Sequence, residues 1–362
     1  MKRIGYIFEK IVDLQNIENA ITQYCRHKAK TKEIVLMLKN KTYYAQKVQT
    51  ILLDGEFSTT IKKHKQIRET VKARDIAVPK SYPDQIVHWA ICLQLSKMFI
   101  QCMYRFNCSN VPNRGCVYGK EYIEKCYSKI KDKKSYTLKL DIKKYFHNIS
   151  HDKMEELFRE KIKDTKVLDL LHKIIDCGES GLPIGFYTSQ WFSNFYLHKV
   201  DDFIKQDLKI KYYARYADDM VLIDFNKRKL HKARIEIQRY LDNNNYGVKI
   251  KDNWQLWQTF TRPLDFLGYR FYRDYTLLRK PILKKLKRQV DRVEREKTLR
   301  ICRARALTSY MGWLKHTNVS RSFYINHIKP TCSKKWISRI ISHDSKRRNK
   351  QNDSKKRNKP KN

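Results

Sequence analysis

The sequence predicts an α+β protein in which short antiparallel strands are set among longer helices. Three stretches carry that prediction. Residues 136–142, Tyr-Thr-Leu-Lys-Leu-Asp-Ile, alternate apolar side chains in a β-rich run that reaches a carboxylate, Asp141. Residues 211–225 hold two further β-rich runs joined at Ala217-Asp218-Asp219, the pattern of a hairpin with two acids at its tip. From Pro281 to about residue 341 the apolar spacing is helical and the polar positions are basic.

The remaining elements follow in chain order. Ile11, Leu14, Ile17 and Ile21 fall on one helical face, so residues 1–60 read as a lysine-rich helical leading segment. A polar, basic stretch leads to Arg74-Asp-Ile-Ala-Val-Pro79, an extended run that the proline ends. Residues 82–105 have helical spacing, and the segment from Pro112 to Gly119, with one proline and two glycines, reads as a loop or tight turn. After the strand at 136–142 a helix is expected around Met154, with helical spacing continuing to Cys177. Gly181-Leu-Pro-Ile-Gly185 breaks the chain before helical spacing returns over 189–203. A helix over 229–241 and strands over 248–257 and 264–272 precede the basic helices, and residues 342–362 form an Asn, Lys, Arg and Ser tail that cannot bury a core.

The 78 Lys and Arg against 37 Asp and Glu give a formal charge of +41, which points to a polyanionic partner, nucleic acid first. No apolar run is long enough to span a bilayer and no secretion or lipidation signal is present, so no membrane partner and a cytoplasmic location are expected. Nine cysteines without a CxxC pair suit packed, reduced thiols better than disulfides or zinc.

Adjacent carboxylates repel, and burying Asp218 beside Asp219 without a cation would force one of them to keep its proton. If the strand ending at Asp141 lies beside the hairpin, three acids converge and can hold two hard cations about 4 Å apart, the arrangement of in-line phosphoryl transfer. Taken singly, an Asp-Asp pair is a solvated turn and an Asp after a strand is a helix cap. It is their order within so basic a chain that points to catalysis.

Those residues resemble a known family. Leu140-Asp141-Ile-Lys-Lys-Tyr-Phe146-His-Asn-Ile149 looks like the first palm motif of reverse transcriptases, and Tyr216-Ala-Asp218-Asp219 looks like their YxDD box. The resemblance covers about residues 74–268 and extends more weakly into the basic helices. It implies a right-hand polymerase fold with an antiparallel palm sheet and a helical basic thumb. Residues 61–135 would then be fingers, 136–275 palm with a fingers insertion at about 151–180, and 276–341 thumb, flanked by the segments 1–60 and 342–362.

The resemblance also implies roles. Asp141, Asp218 and Asp219, with the backbone of Ile142, would hold two Mg2+ ions, for which Mn2+ could substitute. Phe146 falls at the aromatic gate beneath the nucleotide sugar, and Arg74 at the position that reaches the incoming triphosphate. Lys251 lies where a lysine protonates pyrophosphate. Read by themselves, these are also a core phenylalanine, a surface arginine and a solvent lysine. Phe266-Leu267-Gly268-Tyr resembles a primer-grip turn, and Arg114 and Tyr216 join it as primer or template contacts.

Many members of the family carry Gln-Gly where this chain has Ile184-Gly185. With Ser189-Gln190 following, the stretch looks like the reverse transcriptases of diversity-generating retroelements, which copy a template RNA with errors at adenines. Ile184 cannot donate a hydrogen bond, so a looser hold on the nascent base pair is expected. The implied partners are template RNA, the RNA/cDNA duplex, dNTPs and a small helical-bundle accessory variability protein.

Group II intron-like and antiphage-defence reverse transcriptases are alternatives. Little room is expected after the thumb for a maturase or nuclease, and the usual retron signals Asn-Ala-x-x-His and Val-Thr-Gly are not found. A non-enzymatic RNA-binding protein is the further alternative, which three converging acids facing a polyanion speak against. The Lys, Ile and Asn usage suggests an AT-rich bacterial or phage genome.

Overall fold

A computed structural model describes residues 3–26, 28, 31–68, 73–178 and 180–344, leaving out the side chains of 67, 68, 73 and 74. The chain divides into two compact units. The first comprises the described residues up to Tyr122 together with Lys133–Gln258, and the second comprises Ile123–Asp132 together with the described residues from Thr259 onward.

The first unit begins with four helices, α1 (Phe8–Val12), α2 (Leu14–Cys25), α3 (Lys32–Lys39) and α4 (Lys41–Leu53). Asp13 and Thr31 cap α2 and α3 by accepting hydrogen bonds from Asn16 N and Ile34 N. The run read as one helical face is split at Asp13: buried Ile11 lies on α1 and buried Ile17 and Ile21 on α2, and both helices pack on α5 (Asp84–Cys102). Between α4 and α5 lies the antiparallel pair β1 (Ile61–Arg68) and β2 (Ala73–Pro79). The expected strand at 74–79 is thus present, and its partner is the polar, basic stretch before it. Ile-Lys-Lys-His-Lys-Gln-Ile-Arg has no apolar alternation and is a strand because β2 pairs with it.

The helix α6 (Cys116–Ile130) begins inside the segment that glycine and proline marked as a loop, so only residues up to 115 are turn. A four-stranded antiparallel sheet follows from β3 (Tyr136–Asp141), β4 (Tyr212–Tyr216), β5 (Asp219–Asp224) and β6 (Gln255–Gln258), in the order β4-β5-β3-β6. Between β3 and β4 run α7 (Tyr145–Asn148), α8 (His151–Arg159), α9 (Thr165–Ile175), α10 (Tyr187–Tyr196) and α11 (His198–Asp202). An aromatic cluster sits where α10 meets α5: Trp191, Phe192 and Phe195 pack around Phe99, all buried. The helix α12 (Lys227–Asn243) lies across β3 and β5 through buried Leu230, Ala233, Ile237 and Leu241. The strand expected over 248–257 is shorter, a single bridge at Ile250 and then β6, because a turn at 252–253 interrupts it.

The second unit holds the meander β7 (Leu264–Phe266), β8 (Tyr269–Phe271) and β9 (Thr276–Leu278), then the helices α13 (Lys280–Glu296), α14 (Ile301–Leu314) and α15 (Ser320–Phe323). The run read as one strand over 264–272 is therefore a hairpin. Among the described residues, no helix is long and apolar enough to cross a membrane.

Candidate active site

The sheet places the acids. In the β3–β5 ladder Asp141 is directly opposite Asp219, so their side chains rise from one face at the same end of the sheet. Tyr216 pairs with Asp219, which leaves Ala217-Asp218 as a two-residue turn and puts Asp218 at its tip. Ala217 takes φ +52°, a conformation that favours glycine. The Asp218 carboxyl lies close enough to Asp141 to feel its negative charge. The register thus brings the three acids named from the sequence to the same end of the sheet.

Their electrostatics are those of acids held too close together. Burial, then the Asp141 charge, raises the Asp218 carboxyl above the usual carboxylate range. Burial also pushes Asp219 up to about 7, although Lys139 opposes the shift. Two lysines stand beside these acids. Lys139 Nζ is 3.2 Å from Asp219 Oδ2, and Lys251 Nζ is 2.6 Å from Asp141 Oδ1 without the alignment of a good hydrogen bond. Among the described residues, no three acid, His or Cys side chains are gathered closely enough to form a ready ion cage. The chemistry of the donor set nonetheless fits divalent cations. Asp219 Oδ1 is buried with no hydrogen-bond partner among the described residues, and a cation would offset the burial, and the lesser repulsion, that raise both acids.

Ile142 can contribute only its backbone, since its side chain is buried. It bridges to Ile250 with the flanking hydrogen bonds made by Lys143 N to Lys249 O and Lys251 N to Asp141 O. In such a non-hydrogen-bonded antiparallel pair the Ile142 N–H and C=O face away from Ile250, towards the side where Asp218 lies. The same bridge is what delivers Lys251 to Asp141.

The glycine loop gathers a second group. Leu182 N donates to Phe146 O at 2.7 Å, and Ala77 N donates to Ile184 O at 2.8 Å, so the loop is pinned between α7 and β2. A side chain at Gly181 would stand 2.1 Å from Phe146 O, and one at Gly185 would stand 2.4 Å from Ala77 O, with positive φ at both. Phe146 is half-buried and packs edge-on to Tyr145. Gln190 is exposed on α10, whereas its neighbour Ser189 is buried. Arg74 has its backbone in β2 opposite Ile67, and its side chain lies outside the described residues. Arg114 follows a tight turn and donates to Tyr104 O at 3.4 Å. Tyr216 ends β4, where its side chain hydrogen-bonds Cys116. In the second unit Leu267-Gly268 is the two-residue turn between β7 and β8, with φ +55° and +81°.

Sequence reading missed Lys139, Arg215 and Asp201. Lys139 stands two residues before Asp141 on β3, and that period-2 spacing was the available signal. Arg215 and Asp201 are both fully buried and form an ion pair beneath the hairpin.

The family profile described as reverse transcriptase (RNA-dependent DNA polymerase) matches residues 58–271, more than half of the chain. The chain belongs to that family, its fold mixes helices and strands, and the family generally depends on divalent metal. The group II intron-encoded protein LtrA of Lactococcus lactis subsp. cremoris is 28% identical over 220 residues, covering 58% of this chain and 33% of LtrA. The retron Ec73 reverse transcriptase of Escherichia coli is 33% identical over 103 residues, covering 25% of this chain and 33% of that protein. The match thus spans a third of the length of each of these curated relatives. Among solved structures, a telomerase from Candida tropicalis aligns at a TM-score of 0.47 and 13% identity, covering 80% of this chain and 58% of that one.

Proposed function

We propose that this chain is an RNA-directed DNA polymerase that copies a template RNA into cDNA. The observation that carries the reading is the register placing Asp141 opposite Asp219 with Asp218 on the adjoining turn. Asp141, Asp218, Asp219 and the Ile142 carbonyl would hold two Mg2+ ions, which when bound would supply activation of the primer 3′-hydroxyl and neutralisation of charge on the leaving pyrophosphate. Lys251, beside Asp141, is placed to give pyrophosphate a proton. Phe146 excludes the ribose 2′-hydroxyl. Arg74, Ile184, Gly185 and Gln190 bound the nucleotide, and Arg114, Tyr216, Leu267 and Gly268 contact primer or template. On this reading residues 61–135 are fingers, 136–275 palm and 276–341 thumb.

The finer reading is a polymerase of a diversity-generating retroelement, with errors concentrated at template adenines and a small helical-bundle accessory partner. Its support is Ile184, an apolar side chain where a glutamine would donate a hydrogen bond, on a loop whose backbone is pinned to β2. A group II intron-like enzyme is the second reading, favoured by the alignment with LtrA over 58% of the chain. Sequencing cDNA made by the purified chain on a defined RNA separates them. Errors clustered opposite adenine support the first, and faithful copies support the second.

A further inference from the structure

Arg215 is the largest fully buried side chain among the described residues, and all three of its guanidinium nitrogens donate hydrogen bonds. Nε and one terminal nitrogen donate to the two carboxylate oxygens of Asp201 at 2.7 and 2.6 Å. That terminal nitrogen also donates to Asn194 O at 3.1 Å, and the other donates to Ala217 O at 3.0 Å. Tyr213 Oη donates to the same Asp201 oxygen at 2.7 Å. The Arg215 backbone is held too: its N–H donates to Phe106 O at 3.0 Å and its C=O accepts from Cys108 N at 2.8 Å. One side chain on β4 therefore joins α10 and α11 to the carbonyl of the turn that carries Asp218.

A buried ion pair is seldom a gain in stability over well-packed apolar residues of the same volume. What aliphatic side chains could not supply is a donor for Ala217 O, in a turn whose first residue holds φ +52° without being glycine. We propose that Arg215, oriented by Asp201, is a positioning residue that fixes the Ala217-Asp218 turn and with it the spacing of Asp218 and Asp219 as ligands for divalent cations. The inference rests on the proposed metal site and deepens it. Arg215 touches neither metal nor substrate; it acts through the turn. A lysine there would keep the charge but lose the planar fork that reaches Asp201, Asn194 and Ala217 together.

The test compares wild type, Arg215→Lys, and the double variant Arg215→Met with Asp201→Leu, which removes both charges and keeps the volume filled. Four quantities are read: Mn2+ affinity of the protein by electron paramagnetic resonance, kcat and KM for dNTP incorporation, affinity for an RNA/DNA primer–template, and Tm. The double variant is expected to melt within a few degrees of wild type and to bind primer–template normally. It should bind Mn2+ about 10- to 100-fold more weakly and lose kcat by a similar factor, as when an outer support of a metal ligand is removed. Part of that kcat loss should be recovered at high metal concentration. Arg215→Lys should show the same split and carries the test if the double variant does not fold. Wild-type Mn2+ affinity and kcat in either folded variant would overturn the brace while leaving the metal site intact. A wild-type protein that neither binds Mn2+ nor incorporates dNTPs would overturn the site reading itself, and the brace with it.

Discussion

Two hairpins of this chain reverse direction in two residues, and they are held by different means. Ala217-Asp218 has positive φ only at its first residue, and a buried guanidinium supports its carbonyl from beneath. Leu267-Gly268 has positive φ at both residues, the form that matches strand twist, and a side chain at Gly268 would stand 2.8 Å from the Trp313 ring. Its Gly268 O also accepts from Arg279 N at 3.0 Å. The first turn depends on charge and hydrogen bonding, the second on backbone freedom and space. The hairpin that must hold two repelling acids is the one with a charged support.

The comparison can be broken from either side. Asp219→Asn should lower incorporation by roughly 10³-fold or more, because a metal ligand is lost, while RNA affinity in a filter-binding titration stays at the wild-type value. Phe146→Ala should raise ribonucleotide use relative to dNTPs by about tenfold or more, read as a ratio of kcat/KM values, since the loop anchored on the Phe146 carbonyl would remain. Gly268→Ala should cost about 1–3 kcal/mol through its left-handed backbone and the Trp313 contact, visible as a lowered Tm, without changing sugar selectivity. Ile184→Gln should reduce misincorporation opposite adenine by a few-fold in sequenced products, because a donor returns to the pocket.

The smallest effect is in pH dependence. Asp219 has its carboxyl raised to about 7 in the folded chain, against an ordinary value near 4, so between those values the folded state holds more proton than the unfolded one. This group's contribution to stability therefore falls as pH rises through that window. Asp219→Asn removes the penalty, and its Tm should exceed wild type by more at pH 8 than at pH 5 in metal-free buffer.

Much of this was legible because the informative signals are local. Alternation marked β3 and β-rich composition marked β4 and β5, and the acids fall at the ends of those runs. What was not legible depends on pairing at a distance. The strand β1 has a sequence that reads as solvated coil, and only its register with β2 makes it a strand. Lys251 reaches Asp141 through a bridge between Ile142 and Ile250, which no spacing rule displays. Arg215 and Asp201 lie on a strand and a helix whose periodicity would place polar residues outward, yet they pair inside. The resemblance named the residues around the nucleotide, but the supports beneath them came from packing.

The most direct test is extension of a DNA primer on a defined RNA template by the purified chain with Mg2+ and dNTPs, run beside Asp219→Asn. Templated, metal-dependent DNA synthesis by the wild type and none by the variant is the predicted result. Wild-type-like synthesis by Asp219→Asn would contradict the account of the three carboxylates, and absence of synthesis by a wild-type protein that still binds the primer–template would contradict the polymerase reading.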